Sequence, residues 1–166
     1  MASSRPTLDA LQLDLLRLLE QTEDVFLSGG AALGHFYLGH RGSRDLDIFT
    51  PDRERLDELT GRLRELCESS GFALSQERAF PGFRRFRVEG LNLRTVVDLV
   101  HEPVTQRVAL SDKPLVGGVR VDALEDLIAN KLGAILGRSE TKDLVDLYFL
   151  AAPRHPCFLP VVAPCL

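Results

Sequence analysis

The stretch VFLSGGAALGHFYLGHRGSRDLDIFT, from Val25 to Thr50, decides the fold. It reads as a short apolar strand over Val25 to Ser28, a Gly29-Gly30 turn, a helix over Ala31 to Leu38, a basic loop from Arg41 to Arg44, and a second strand carrying Asp45 and Asp47. Side chains alternate faces along a strand, so the two carboxylates point the same way while Leu46 and Ile48 pack on the other side. Like charges so close repel, and a hard divalent cation such as Mg2+, bound through oxygen ligands, makes the arrangement favourable. The glycines let a ligand approach the backbone, and the helix behind them turns unpaired N–H groups toward it. Phosphate suits both halves, with Ser28, Gly29 and Gly30 as its cradle.

On either side the pattern continues as alternating helices and strands. Thr7 to Gln21 carries Leu8, Leu11, Leu15, Leu18 and Leu19 at helical spacing, with Thr7 as N-cap. Thr50-Pro51 opens another helix, whose Leu56, Leu59, Leu63 and Leu66 share one face and which Gly71 ends. Phe72 to Phe80, Phe83 to Val88 and Leu91 to Val100 read as strands, the last two joined by a turn at Glu89-Gly90. Asp98 sits near the end of LNLRTVVDLV among apolar residues, where an uncompensated carboxylate is costly. After a loop through Gly117-Gly118 and a short strand near Val119, Asp122 and Glu125 have capping-box spacing ahead of a helix that carries Lys131. Lys131 and Arg138 lie seven residues apart, on one helical face. A second helix follows, with Asp143 and Asp146 on one side and Leu144, Leu147 and Leu150 available for packing.

These motifs, SGGAAL followed by RDLDIF and then NKLGAILGRSETKDLVDLYFL from Asn130 to Leu150, resemble the AbiEii/AbiGii nucleotidyltransferase toxins of the DNA polymerase β-like superfamily. The resemblance implies an α/β fold, α+β in stricter usage: a small mixed sheet with helices and a C-terminal helical pair. It also implies an Mg2+-dependent, two-ion nucleotidyltransferase with an NTP as substrate, in which Asp98 joins Asp45 and Asp47 as the third metal carboxylate, with Glu102 as the reserve. Lys131 and Asp146 are functional positions by the same resemblance, with Lys131 and Arg138 at the nucleotide phosphates. A tRNA 3′ end as acceptor and a separately encoded antitoxin as partner follow from it too. A small-molecule nucleotidyltransferase of the antibiotic-modifying kind shares the glycine pair and Asp-x-Asp, and a non-catalytic nucleotide-binding remnant stays open as a third reading.

Bulk properties set limits on these readings. A chain of 166 residues, 45% hydrophobic and 27% charged, suits one domain over 1–150, followed by an irregular Pro-rich tail over 151–166. The family resemblance stops at Leu150. No run approaches the roughly 18 apolar residues of a membrane span, and Cys67, Cys157 and Cys165 lack metal-ligand spacing, so reduced thiols and a cytoplasmic location are expected. A net charge of −4 leaves nucleic-acid binding to a local patch. The best candidate is Arg78 to Arg94, where Arg84, Arg85, Arg87 and Arg94 alternate with Phe80, Phe83 and Phe86. His35 and His40 are assigned no role.

Overall fold

The computed structural model describes residues 7–20, 22–102, 106–137 and 140–152. A five-stranded mixed sheet is the frame, with β1 (Phe26–Ser28), β2 (Asp45–Thr50), β3 (Ala73–Phe80), β4 (Phe83–Gly90) and β5 (Leu93–His101) in the order β1-β2-β5-β4-β3. Only β2 and β5 pair in parallel; the other neighbours are antiparallel. The parallel pair needs a long crossover, which α4 (Arg55–Ser70) and the β3–β4 hairpin supply. As a result β2, with its Asp-x-Asp, lies against the centre of β5.

One sheet face is the core. Leu46 and Ile48 of β2, Val97 and Leu99 of β5 and Phe86 and Val88 of β4 are all buried there, in one cluster with Leu56, Leu59, Leu63 and Cys67 of α4. The period-two alternation of the strands and the Leu stripe of α4 dictate this packing. The first helix joins the same cluster, but as two pieces, α1 (Ala10–Leu15) and α2 (Arg17–Glu20). Its cap is Asp9 rather than Thr7. Asp9 Oδ1 accepts from Gln12 N at 2.8 Å and Gln12 Oε1 accepts from Asp9 N at 3.1 Å, a reciprocal box that outcompetes a single hydroxyl. Thr7 Oγ1 lies 2.7 Å from His35 Nδ1 instead.

Two further boundaries differ from the sequence reading. Pairing of Thr50 with His101 extends β2 to Thr50, so α4 begins only at Arg55 and Thr50 Oγ1 accepts from Asp52 N in a turn. The β4–β5 turn is Leu91-Asn92, with φ of 56° and 58°, and not Glu89-Gly90. Both φ values are positive, as in a type I′ hairpin.

Behind β1, α3 (Gly29–Ala32) widens into a π-helical segment over Leu33–Leu38 that ends at left-handed Gly39. Gly34 has no room for a side chain, because a Cβ there would lie 2.6 Å from the Arg41 carbonyl oxygen, so the basic loop passes directly over this helix. β6 (Leu115–Val116) and β7 (Val119–Arg120) form a small hairpin, and α5 (Leu124–Gly137) and α6 (Thr141–Ala151) form the C-terminal pair beside the sheet. Arg138 and most of the Pro-rich tail lie outside the described residues.

Leu91 at positive φ costs about 1–2 kcal/mol relative to a residue suited to that region. Replacing the exposed pair by the favoured sequence, Leu91→Asn with Asn92→Gly, is therefore expected to stabilise the fold by about 1 kcal/mol. A rise in the urea midpoint with unchanged slope checks it.

Candidate active site

Register brings the carboxylates together. Asp47 of β2 sits opposite Asp98 of β5, Asp98 sits opposite Arg85 of β4, and Asp45 is two residues before Asp47 on the same face. Gly29, Gly30, Ser43, Lys131 and Lys142 complete the rim of a pocket of about 260 Å³ over them. A larger recess of about 640 Å³ lies elsewhere, between Leu19, Glu23, Leu115 and Arg120, and none of the sequence-predicted site residues lines it.

Asp47 is packed against the first turn of α3. A Cβ on Gly29 would lie 2.0 Å from Asp47 Oδ2, and Gly29 has φ of 67°, so only glycine fits on both counts. Burial pushes the Asp47 carboxyl up to about 6, with the neighbouring charges of Asp98 and Asp45 adding to the shift and those of Lys131 and Lys142 opposing it. Asp98 is buried and already partnered. Arg85 donates to it through two nitrogens, Nε to Oδ1 at 2.8 Å and Nη2 to Oδ2 at 2.6 Å, the bidentate geometry of a strong charge-assisted pair. The sequence reading placed Arg85 in a surface patch, whereas it belongs to the pocket.

Lys131 reaches the pocket from α5 and is 6% exposed. Its Nζ donates to Asp143 Oδ1 at 2.9 Å and lies 2.8 Å from Asp146 Oδ2. Asp146 is fully buried, with Arg41 Nε donating to its Oδ1 at 2.6 Å, Arg41 Nη2 to its Oδ2 at 2.7 Å, and His40 Nε2 2.7 Å away. Burial alone would raise the Asp146 carboxyl, but the hydrogen bonds from His40, Arg41 and Lys131 outweigh it and hold it well below the usual carboxylate range. The Asp146 carboxylate is thus engaged by three side chains, His40, Arg41 and Lys131. It ties the basic loop and α5 to α6. His40, given no role from sequence, is part of this hub.

Ser28 lies one residue before the rim. Its hydroxyl donates to Asp122 Oδ2 at 2.6 Å, and Ser28 is not among the residues that line the pocket. Asp122 is no helix cap: it is buried between Ser28 and Lys113, whose Nζ donates to Asp122 Oδ1 at 2.6 Å and to Asp126 Oδ2 at 2.8 Å. Lys113 lies nine residues before Asp122 and thirteen before Asp126, across a loop and a hairpin that offer no local signal, so sequence reasoning missed it. Arg138 and its phosphate role lie outside the described residues. Glu102 follows the end of β5, and it is not on the rim.

Among the described residues, no set of three or more His, Cys, Asp and Glu side chains is arranged as a metal cage. The donor chemistry still suits Mg2+, which usually takes one or two protein carboxylates together with substrate phosphates and water. Asp45 and Asp47 would be those two, and the mutual repulsion recorded in the raised Asp47 carboxyl is what a cation would relieve.

The mixed five-stranded sheet with its helices is a nucleotidyltransferase fold. The profile of the nucleotidyl transferase AbiEii toxin family, a type IV TA system, matches residues 13–163, so the likeness runs past Leu150, where the sequence motifs had ended it, and the chain belongs to that family. It is similar in structure to JHP933 from Helicobacter pylori, with a TM-score of 0.65 and 24% identity over 84% of this chain and 62% of that one. A candidate nucleotidyltransferase from H. pylori gives the same TM-score at 23% identity, over 84% of this chain and 64% of that one. The chain thus spans less than two thirds of either. No curated protein matches it. Among the described residues no helix is long and apolar enough to cross a membrane.

Removing the hub carboxylate leaves the partly buried Arg41 without its carboxylate partner and Lys131 with Asp143 alone among the described residues, so Asp146→Ala is expected to cost about 3–5 kcal/mol in chemical denaturation. Because its folded carboxyl is depressed, the Asp146 contribution is present above about pH 4 and is lost only as the pH falls through the folded value. Asp47 has the opposite sign. Its raised carboxyl destabilises the metal-free fold as pH climbs from about 4 to about 6, and Asp47→Asn is expected to remove that part of the pH dependence in thermal melts.

Proposed function

We propose that the chain transfers a nucleotide from an NTP to an acceptor hydroxyl. The observation that carries this reading is the side-by-side register of Asp47 and Asp98, with Asp45 two residues away, against a glycine turn and two cations, Lys131 and Arg85. Bound Mg2+ would supply Lewis-acid activation of the α-phosphate and charge neutralisation of the leaving group. Asp45 and Asp47 would hold it, in one-ion or two-ion form, and the backbone of Gly29 and Gly30 would take the phosphates.

Asp98 would complete the metal site and would have a second task. Its Oδ2, held by Arg85 Nη2, would take the proton of the attacking hydroxyl once Arg85 turns toward the phosphates. The acceptor oxygen then bonds to the α-phosphorus, the bond to the bridging β-phosphate oxygen breaks, and pyrophosphate leaves beside Lys131 and Arg85. Family membership supports a separately encoded antitoxin as partner, and the acceptor in this reading is a tRNA 3′ end.

Incubation of the protein with each α-labelled NTP, Mg2+ and total RNA tests the proposal. Label is expected in the tRNA fraction, and Asp45→Asn or Asp47→Asn is expected to lower incorporation by at least about a hundredfold while the protein stays folded. Label in a small-molecule fraction instead would replace the RNA acceptor. Full activity in Asp47→Asn would refute the transfer site.

A further inference from the structure

Beyond the carboxylates, the pocket face of the sheet continues across β4 and β3, where Arg78, Phe80 and Arg87 are exposed among the described residues. In-register pairing sets out two rows there. One runs Asp47, Asp98, Arg85, Arg78, and the next runs Phe49, Val100, Phe83, Phe80. Phe80 is 57% exposed and stacks on Phe83, with ring centroids 6.2 Å apart at an interplanar angle of 28°. The Arg85 guanidinium lies 5.8 Å from the Phe83 ring centroid, so the aromatic pair adjoins the Asp98 partner directly. Arg78 and Arg87 are exposed on this face, and Arg87 pairs with Glu77, a contact that solvent makes easy to exchange.

The opposite face of the same hairpin behaves differently. Phe86 and Val88 are in the core, and Arg84 is turned toward α4, bonding Asp57 and the Phe80 carbonyl. Thus the arginine-rich segment splits into a structural half and an open half, and the open half faces the same way as the proposed reaction site. Exposed aromatic rings beside arginines are the chemistry that binds single-stranded nucleic acid, where bases stack and phosphates pair with cations. From β2 to β4 is two strand spacings, about 10 Å, so nucleotides next to a reacting end would reach these rings.

We propose that the open face of β4 and β3 is the acceptor platform, on which bases preceding a single-stranded RNA 3′ end stack on Phe83 and Phe80 while their phosphates pair with Arg78 and Arg87. This rests on the nucleotidyl-transfer reading for its orientation, but the binding itself needs neither NTP nor metal. Duplex RNA, whose bases are already stacked, is a poor ligand for such a face.

The test is fluorescence anisotropy with a short labelled oligoadenylate, in EDTA and without NTP. Wild type is expected to bind with strong salt dependence, and Phe80→Ala with Phe83→Ala to lose about tenfold or more in affinity. Arg78→Gln with Arg87→Gln is expected to flatten the salt slope by about two counterions, and Arg84→Gln to leave it unchanged. Phe80→Ala alone, at an exposed position, provides a variant that keeps the fold and is expected to lose about fivefold or more. Wild-type affinity in the aromatic variants, or an Arg84→Gln loss as large as that of the Arg78/Arg87 pair, overturns the platform. So does a wild-type protein that ignores the oligonucleotide. Asp45→Asn separates the two proposals: failed transfer with intact binding leaves the platform standing, and platform failure with intact transfer leaves the reaction site standing.

Discussion

Three carboxylates on two adjacent strands repel one another, and much of the structure around them makes that crowding tolerable. The parallel pairing of β2 with β5 creates the problem by setting Asp47 directly opposite Asp98. Arg85, delivered by the next strand, neutralises Asp98, while Lys131 and Lys142 come in from the C-terminal helices near Asp47. Burial, with the charges of Asp98 and Asp45 adding to it, still pushes the Asp47 carboxyl up to about 6. A stable fold without function would have no reason to keep such an arrangement in a pocket, which is why strongly perturbed groups in clefts point to chemistry.

Two buried ionic hubs hold the pocket walls. Asp146 joins the basic loop, α5 and α6 through Arg41 and Lys131, and Lys113 joins Asp122 and Asp126, which in turn anchors Ser28 at the end of β1. Asp126 also accepts from the backbone N–H groups of Arg107 and Val108, so the loop before β6 is fixed to the same hub. Buried ion pairs add little net stability over apolar packing, because desolvation offsets attraction. Breaking one is costly, though, and their geometry is directional. In this protein they fix where Gly29, next to Ser28, and Lys131 stand relative to Asp45 and Asp47.

What could be read from sequence was local and periodic. Asp45 and Asp47 share a face because strands alternate, and the Leu stripe of α4 faces the core because helices repeat at 3.6 residues. Asp98 stood out as a carboxylate among apolar residues. The Arg85–Asp98 pair was hidden by a two-residue error in the turn: with Glu89-Gly90 as the loop, Arg85 would face Arg94, whereas the Leu91-Asn92 loop puts it opposite Asp98. The Ser28 hydroxyl, beside the glycine pair, donates to Asp122, 94 residues away. The Asp146 hub depends on Arg41, 105 residues distant, which no spacing rule connects. Long-range polar partnerships of this kind emerge only when strand register and helix docking are known.

In the proposed reaction Asp45 and Asp47 hold the cation of a bound nucleotide beside the Gly29 turn. A crystal containing Mn2+ and a non-hydrolysable NTP tests it most directly, through the anomalous signal of the metal. The account places that peak within about 2.0–2.3 Å of carboxylate oxygens of both Asp45 and Asp47, with the phosphates over Gly29 and Gly30 and Arg85 swung from Asp98 toward them. A nucleotide-bound metal elsewhere, or phosphates seated away from the glycine turn with Arg85 still closed on Asp98, would contradict it.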